Sequence, residues 1–78
     1  MKNVIIYTTP TCVYCRMAKA FFAEKKVPYT EHDVVTDLKA REEMVQKSGQ
    51  LGVPVIEIGS AVIVGFDRDA IVRALEIQ

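Results

Sequence analysis

The chemistry-bearing residues of this chain are two cysteines set three positions apart, in the stretch Thr8-Thr9-Pro10-Thr11-Cys12-Val13-Tyr14-Cys15-Arg16. They are its only cysteines. A thiol becomes a nucleophile when it ionises, and the free backbone N–H groups and positive dipole end of a helix N-terminus favour ionisation. The stretch lies where a predicted strand hands over to a predicted helix, which places Cys12 at or beside the N-cap and Cys15 one turn in, on the face turned toward the sheet. That asymmetry makes Cys12 the attacking and Cys15 the resolving sulfur. Arg16 and Lys19 add cations, and no Asp or Glu occurs between Cys12 and Glu24. Cations oppose the dipole at a helix start, so a nearby anion should compensate, such as a thiolate or a substrate carboxylate.

Other chemistries use the same residues. A structural disulfide across two residues closes too small a loop to constrain the unfolded chain much. A closed zinc site needs four ligands, and His32 as the single histidine leaves the chain one short unless two copies share the metal. Inert packing of two small apolar side chains is the third alternative. A C-x-x-C beside a βαβ pattern points to redox chemistry ahead of these.

The rest of the chain must position that pair. Seventy-eight residues, half of them hydrophobic and 26% charged, make one compact domain spanning 1–78. Ten basic and ten acidic side chains cancel, which argues against nucleic acid or a membrane surface as partner. The apolar runs Val4 to Tyr7 and Ala61 to Val64 are far too short to span a bilayer. The apolar start is too brief for a secretory signal, so the expected setting is cytoplasmic and reducing, where a cysteine pair is more often catalytic than structural.

Val4 to Thr8 is apolar and β-branched, as a central strand requires, and Pro10 ends it. From Cys12 to Lys25, the residues Cys15, Ala18, Phe21 and Phe22 recur at helical spacing, with Thr11 available to help cap. Phe21 and Phe22 read as core, and Tyr14 as flanking a substrate groove. Pro28 introduces a second strand, Tyr29 to Val34, parallel to the first through a right-handed crossover. His32 reads as a polar strand residue. Thr36 is the expected N-cap of a helix running to about Ser48, with Leu38, Met44 and Val45 on one side and Gly49 as its left-handed stop. Arg41 or Lys47 could meet an anionic partner. Gly52 to Ile58 is loop and strand, Gly59-Ser60 a tight turn, and Ala61 to Val64 the returning strand. Asp67 caps a last helix in which Ala70, Ile71, Ala74 and Leu75 face inward. The order is βαβαββα.

The cysteine stretch, then Gly52-Val53-Pro54, then Gly65-Phe66-Asp67 before the last helix, resembles the glutaredoxins and glutaredoxin-like proteins of the thioredoxin-fold superfamily over essentially the whole chain. The resemblance implies a four-stranded mixed sheet in the order 2-1-3-4 with three helices, and a cis peptide before Pro54 that faces the cysteines. It implies that the Val53 backbone pairs with an incoming peptide or glutathione as a strand would, and that Phe66 and Asp67 hold the γ-glutamyl end at the last helix start. Thr11, Val13 and Tyr14 complete the implied substrate or glutathione site, with Arg16 and Lys19 stabilising the thiolate.

Two features depart from many glutaredoxins. Thr9 stands near where a lysine precedes the motif, and Val64-Gly65-Phe66-Asp67 replaces a Gly-Gly-Cys-Asp-like turn. The Gly-Phe pair is closer to glutaredoxin-like proteins that take electrons from thioredoxin reductase. The implied activity is a Cys12–Cys15 dithiol/disulfide cycle acting on protein or glutathione-mixed disulfides. The implied protein is a monomer with no bound cofactor or metal, reduced by glutathione as co-substrate or by a thioredoxin-reductase-type flavoprotein. A non-enzymatic iron–sulfur or metal carrier, with two chains contributing these cysteines, is the rival; a binding adaptor without turnover is the third reading.

Overall fold

A computed structural model describes residues 3–76 as β1 (Val4–Thr8), α1 (Val13–Glu24), β2 (Thr30–Asp33), α2 (Leu38–Ser48), β3 (Val55–Ile58), β4 (Ala61–Val64) and α3 (Arg68–Leu75). The strands form one mixed sheet in the order β2-β1-β3-β4, with β1 parallel to β2 and the other two pairings antiparallel. This is the order and the set of three helices that the family resemblance implies.

Alternation along the strands assigns the two faces of the sheet. Val4, Ile6, Ile56, Ile58 and Ile63 pack with Ala18, Phe21 and Phe22 of α1 and Ile71 of α3, while Ala70, Ala74 and Leu75 close the edge of that cluster. Tyr7 and Val55 point the other way and pack with Ala40 and Met44 of α2. On this second face Lys47 Nζ donates to Tyr7 Oη at 3.0 Å and to Glu57 Oε1 at 3.1 Å. Of the two α2 cations expected to meet an anion, Lys47 thus finds its partner inside the fold. His32 lies beside Tyr7 in the register and its ring stacks on it, with centroids 5.6 Å apart.

Two expectations need correction. The N-cap of α2 is Asp37, whose carboxylate accepts from Ala40 N–H at 3.0 Å, while Thr36 Oγ1 donates to the Asp33 carbonyl. Asp33 also accepts from the N–H groups of Val35 and Asp37, and this tight turn delays the helix start by one residue. Leu38 is not part of the buried side of α2: it is 65% exposed, on the stripe it shares with Arg41 and Val45. Ala40 and Met44, four apart, face the sheet in its place. Gly49 closes the helix in the left-handed region at φ +75°, where a side chain would be strained.

Candidate active site

Strand β1 ends at Thr8, buried at the sheet's centre, and the loop beyond it carries the cysteines to the end of the sheet. Cys12 itself is the N-cap of α1, with extended backbone and its N–H donating to the Thr9 carbonyl. Its Sγ accepts from the N–H of Cys15 at 3.0 Å, so sulfur takes the place that a serine or aspartate oxygen holds at an ordinary cap. Thr11 is exposed and does not form the cap. An ionised sulfur is the stronger acceptor of such a bond, so the helix start favours a Cys12 thiolate when the pair is reduced.

The two sulfurs are joined as a disulfide, with Cα atoms 5.2 Å apart. Their surroundings differ as the spacing predicts: Cys12 is half-buried, whereas Cys15 is 1% exposed. Each of the two cations has a hydrogen-bond partner of its own. Arg16 donates to the Pro10 carbonyl at 3.2 Å and so holds the loop, and Lys19 forms a 2.9 Å ion pair with Glu31. Glu31 is thus an anion that compensates the basic start of α1, supplied from β2.

Beside the disulfide runs an open groove of about 320 Å³ lined by Tyr14, Val53, Pro54, Val64, Gly65, Phe66 and Asp67. The β3–β4 hairpin brings positions 53–54 and 64–67 together there, and the first turn of α1 supplies Tyr14. The Val53–Pro54 peptide is cis, as the resemblance implies. Gly65 N–H donates to the Pro54 carbonyl at 2.8 Å and ties the end of β4 to this loop. Its φ of +83° lies in the left-handed region, which glycine adopts at least cost. Asp67 caps α3 by accepting from Ala70 N–H at 3.1 Å, and Phe66 packs edge-on against Phe21, anchoring that wall to the core.

Of the expected substrate-contacting residues, Tyr14, Val53, Pro54, Phe66 and Asp67 come together in this groove. Thr11 and Val13 are exposed beside the motif and are not among its lining residues. The chain order did not single out Val64 and Gly65 as lining residues. The alternation of β4, with Ile63 buried and Val64 exposed, is the signal that locates Val64 on the open face.

The glutaredoxin family model matches residues 4–63, most of the chain. The chain belongs to the glutaredoxin family. An uncharacterized glutaredoxin-like 8.6 kDa protein in the rubredoxin operon of Clostridium pasteurianum is 42% identical over 71 residues, 91% of this chain and 95% of that one. Glutaredoxin 3 of Escherichia coli strain K12 is 43% identical over 67 residues, 86% of this chain and 81% of that one. Among solved structures, the glutaredoxin-like protein NrdH-redoxin from Escherichia coli, described as having a thioredoxin-like activity profile, superposes with a TM-score of 0.81. It is 27% identical, with 91% of this chain and 92% of that one covered. This glutaredoxin is therefore a thiol–disulfide oxidoreductase, and the paired cysteines at the head of α1 are the dithiol such chemistry requires. No helix among the described residues is long and apolar enough to cross a membrane. No group of three or more His, Cys, Asp or Glu that could hold a metal ion occurs among the described residues.

Proposed function

We propose that this chain reduces disulfides in polypeptide segments and is itself reduced by a thioredoxin-reductase-type flavoprotein in preference to glutathione. The Cys12 thiolate attacks one sulfur of the substrate, forming a mixed disulfide and expelling the other sulfur as a thiolate that takes up a proton. Cys15 then attacks Cys12 and its proton passes to the second departing sulfur, leaving the Cys12–Cys15 bond. Two electrons have moved to the substrate, and the flavoprotein's dithiol returns them. The dithiol and the groove lie within one chain, so in this reading one copy of the chain carries the whole cycle.

The observation that carries the choice of substrate and donor is the chemistry of the groove. Tyr14, Val53, Pro54, Val64 and Phe66 present mainly apolar surface, and Asp67 supplies the one formal charge at neutral pH among the described lining residues. Glutathione brings two carboxylates and one ammonium. A lining without a cation offers its carboxylates no charge-assisted partner beyond the N–H groups at the start of α3. An extended peptide suits the same walls better, with main chain pairing at Val53 and apolar side chains against Tyr14 and Phe66. The thioredoxin-like activity profile of the Escherichia coli NrdH-redoxin points the same way.

The deciding experiment follows NADPH oxidation with a protein disulfide as acceptor. One reaction contains thioredoxin reductase, the other glutathione reductase and glutathione. Turnover in the first and little in the second is expected. Rapid turnover supported by glutathione alone would overturn the assignment of the donor.

A further inference from the structure

Lys19 stands four residues beyond Cys15, on the same stripe of α1 and one turn further along. Glu31 is opposite Ile6 in the β1–β2 register, and Ile6 faces α1, so strand alternation brings Thr8 and Glu31 to the α1 side of the sheet. There a single carboxylate oxygen, Glu31 Oε2, accepts from Thr8 Oγ1 at 2.7 Å and from Lys19 Nζ at 2.9 Å. Thr8, the last residue of β1, is 2% exposed. One oxygen therefore ties together the strand that leads into the active-site loop, the helix that carries both sulfurs, and the edge strand β2. The Thr8 bond first, and then the Lys19 bond, hold the Glu31 carboxyl below its ordinary range, so it is charged at neutral pH.

We propose that Glu31 is a positioning residue that acts through Lys19 to set the redox equilibrium of the Cys12–Cys15 couple, keeping it more reducing than a free Lys19 would allow. The proposal rests on the reading of these cysteines as the redox couple. Reduction by a dithiol converts the protein disulfide to a dithiol and the donor to its own disulfide, with two electrons transferred. When Cys12 is ionised, the reduced side carries a negative charge that the oxidised side lacks. A nearby positive charge then favours the reduced form and a negative charge the oxidised form. Glu31 and Lys19 together are neutral, and the fixed geometry at Thr8 keeps them paired.

Other charged side chains at this end of the sheet are Arg16 on α1 itself, held to the Pro10 carbonyl, Asp33, opposite Thr8 in the register, and Asp67, Arg68 and Asp69 at the start of α3. Arg68 lies over the Phe21 ring, 5.4 Å from its centroid. None of these changes when Glu31 or Lys19 is replaced.

The test equilibrates wild type, Glu31→Gln, Lys19→Met and the double variant with mixtures of reduced and oxidised dithiothreitol at neutral pH. The fraction of Cys12–Cys15 disulfide is then read from alkylation mass shifts. Glu31→Gln should move the equilibrium constant about threefold toward the dithiol, and Lys19→Met about threefold toward the disulfide, the scale expected of partly exposed charges. The double variant should return close to wild type. Threefold corresponds to about 14 mV for a two-electron couple. Lys19→Arg, which keeps the charge, should stay near wild type.

Loss of helix packing alone would drive both single variants the same way. Shifts of one sign, or no shift in either, would therefore overturn the role of Glu31 while leaving the couple itself intact. Cysteines that form no disulfide in the oxidised mixture would overturn the redox reading and this inference together.

Discussion

Replacing Cys15 while keeping Cys12 should convert a turnover reaction into a trap. Cys15 is buried beneath Cys12 with its Cα 5.2 Å away, inside the range of about 4.4–6.8 Å that a disulfide bridges without backbone movement. Internal attack on a mixed disulfide therefore competes with thiols from solution under very unequal terms. Well-oriented intramolecular reactions reach effective concentrations of about 10⁵–10⁸ M, and even ~1 M against ~1 mM external thiol makes the internal route about 10³-fold faster. Cys15→Ser leaves a hydroxyl at a buried position, at a cost of about 1–3 kcal/mol if it finds no partner, so Cys15→Ala is the companion variant. Each variant is mixed with a peptide disulfide and quenched with acid, and the Cys12 adduct is followed by intact-mass spectrometry. A near-stoichiometric adduct should form and persist about 10³-fold longer than in wild type. Release at the wild-type rate in ~1 mM thiol would refute internal resolution by Cys15. An adduct that forms on Cys15 in a Cys12→Ser variant would reverse the two roles.

Asp67 both caps α3 and supplies the groove's formal charge, and two substitutions separate these parts. Asp67→Ala should lower unfolding free energy by about 1 kcal/mol in urea titrations, whereas Asp67→Asn should retain most of the cap and change only the response to charged substrates. Acid stability should carry the mark of Glu31, whose carboxyl is held below its ordinary value of 4.5 by Thr8 first and Lys19 second. A depressed carboxyl stabilises the fold above its unfolded pKa, and that contribution is lost as pH falls through the lower folded value. The stability gap between wild type and Glu31→Gln in urea should therefore be present at neutral pH and narrow as pH falls below 4.5. A gap that widened on acidification would contradict the bond from Thr8.

The elements themselves are largely legible along the chain. β1 runs from Val4 to Thr8 as its β-branched run predicts, α1 follows the spacing of Cys15, Ala18, Phe21 and Phe22, and Gly49 and Asp67 close and open helices where their side chains suit those ends. Local chemistry fails at the start of α2, where Thr36 and Asp37 are adjacent candidates. A hydrogen-bonded turn at Asp33 decides between them. It fails again at Leu38, because an apolar residue in the first turn can lie on either flank of the buried stripe. The tight turn at Gly59-Ser60 makes β3 and β4 neighbours and the crossover makes β2 parallel to β1, but the placing of β1 between β2 and β3 was legible only through the family resemblance.

What the sequence by itself determined is the redox pair and its placement: a strand ended by proline, a helix that starts at Cys12, and a second sulfur one turn inward. These follow from interactions within a few residues, which recur wherever the same types occur at the same spacing. Only the tertiary structure decided which distant side chains share that space. Tyr14, Val53 and Phe66 line one groove, and Thr8, Lys19 and Glu31 meet at one oxygen, because strand register and helix docking bring together residues far apart in the chain, with the two bonds to Glu31 spanning 12 and 23 positions. A shift of one residue in that register would send Glu31 to the opposite face of the sheet and leave Lys19 without its anion.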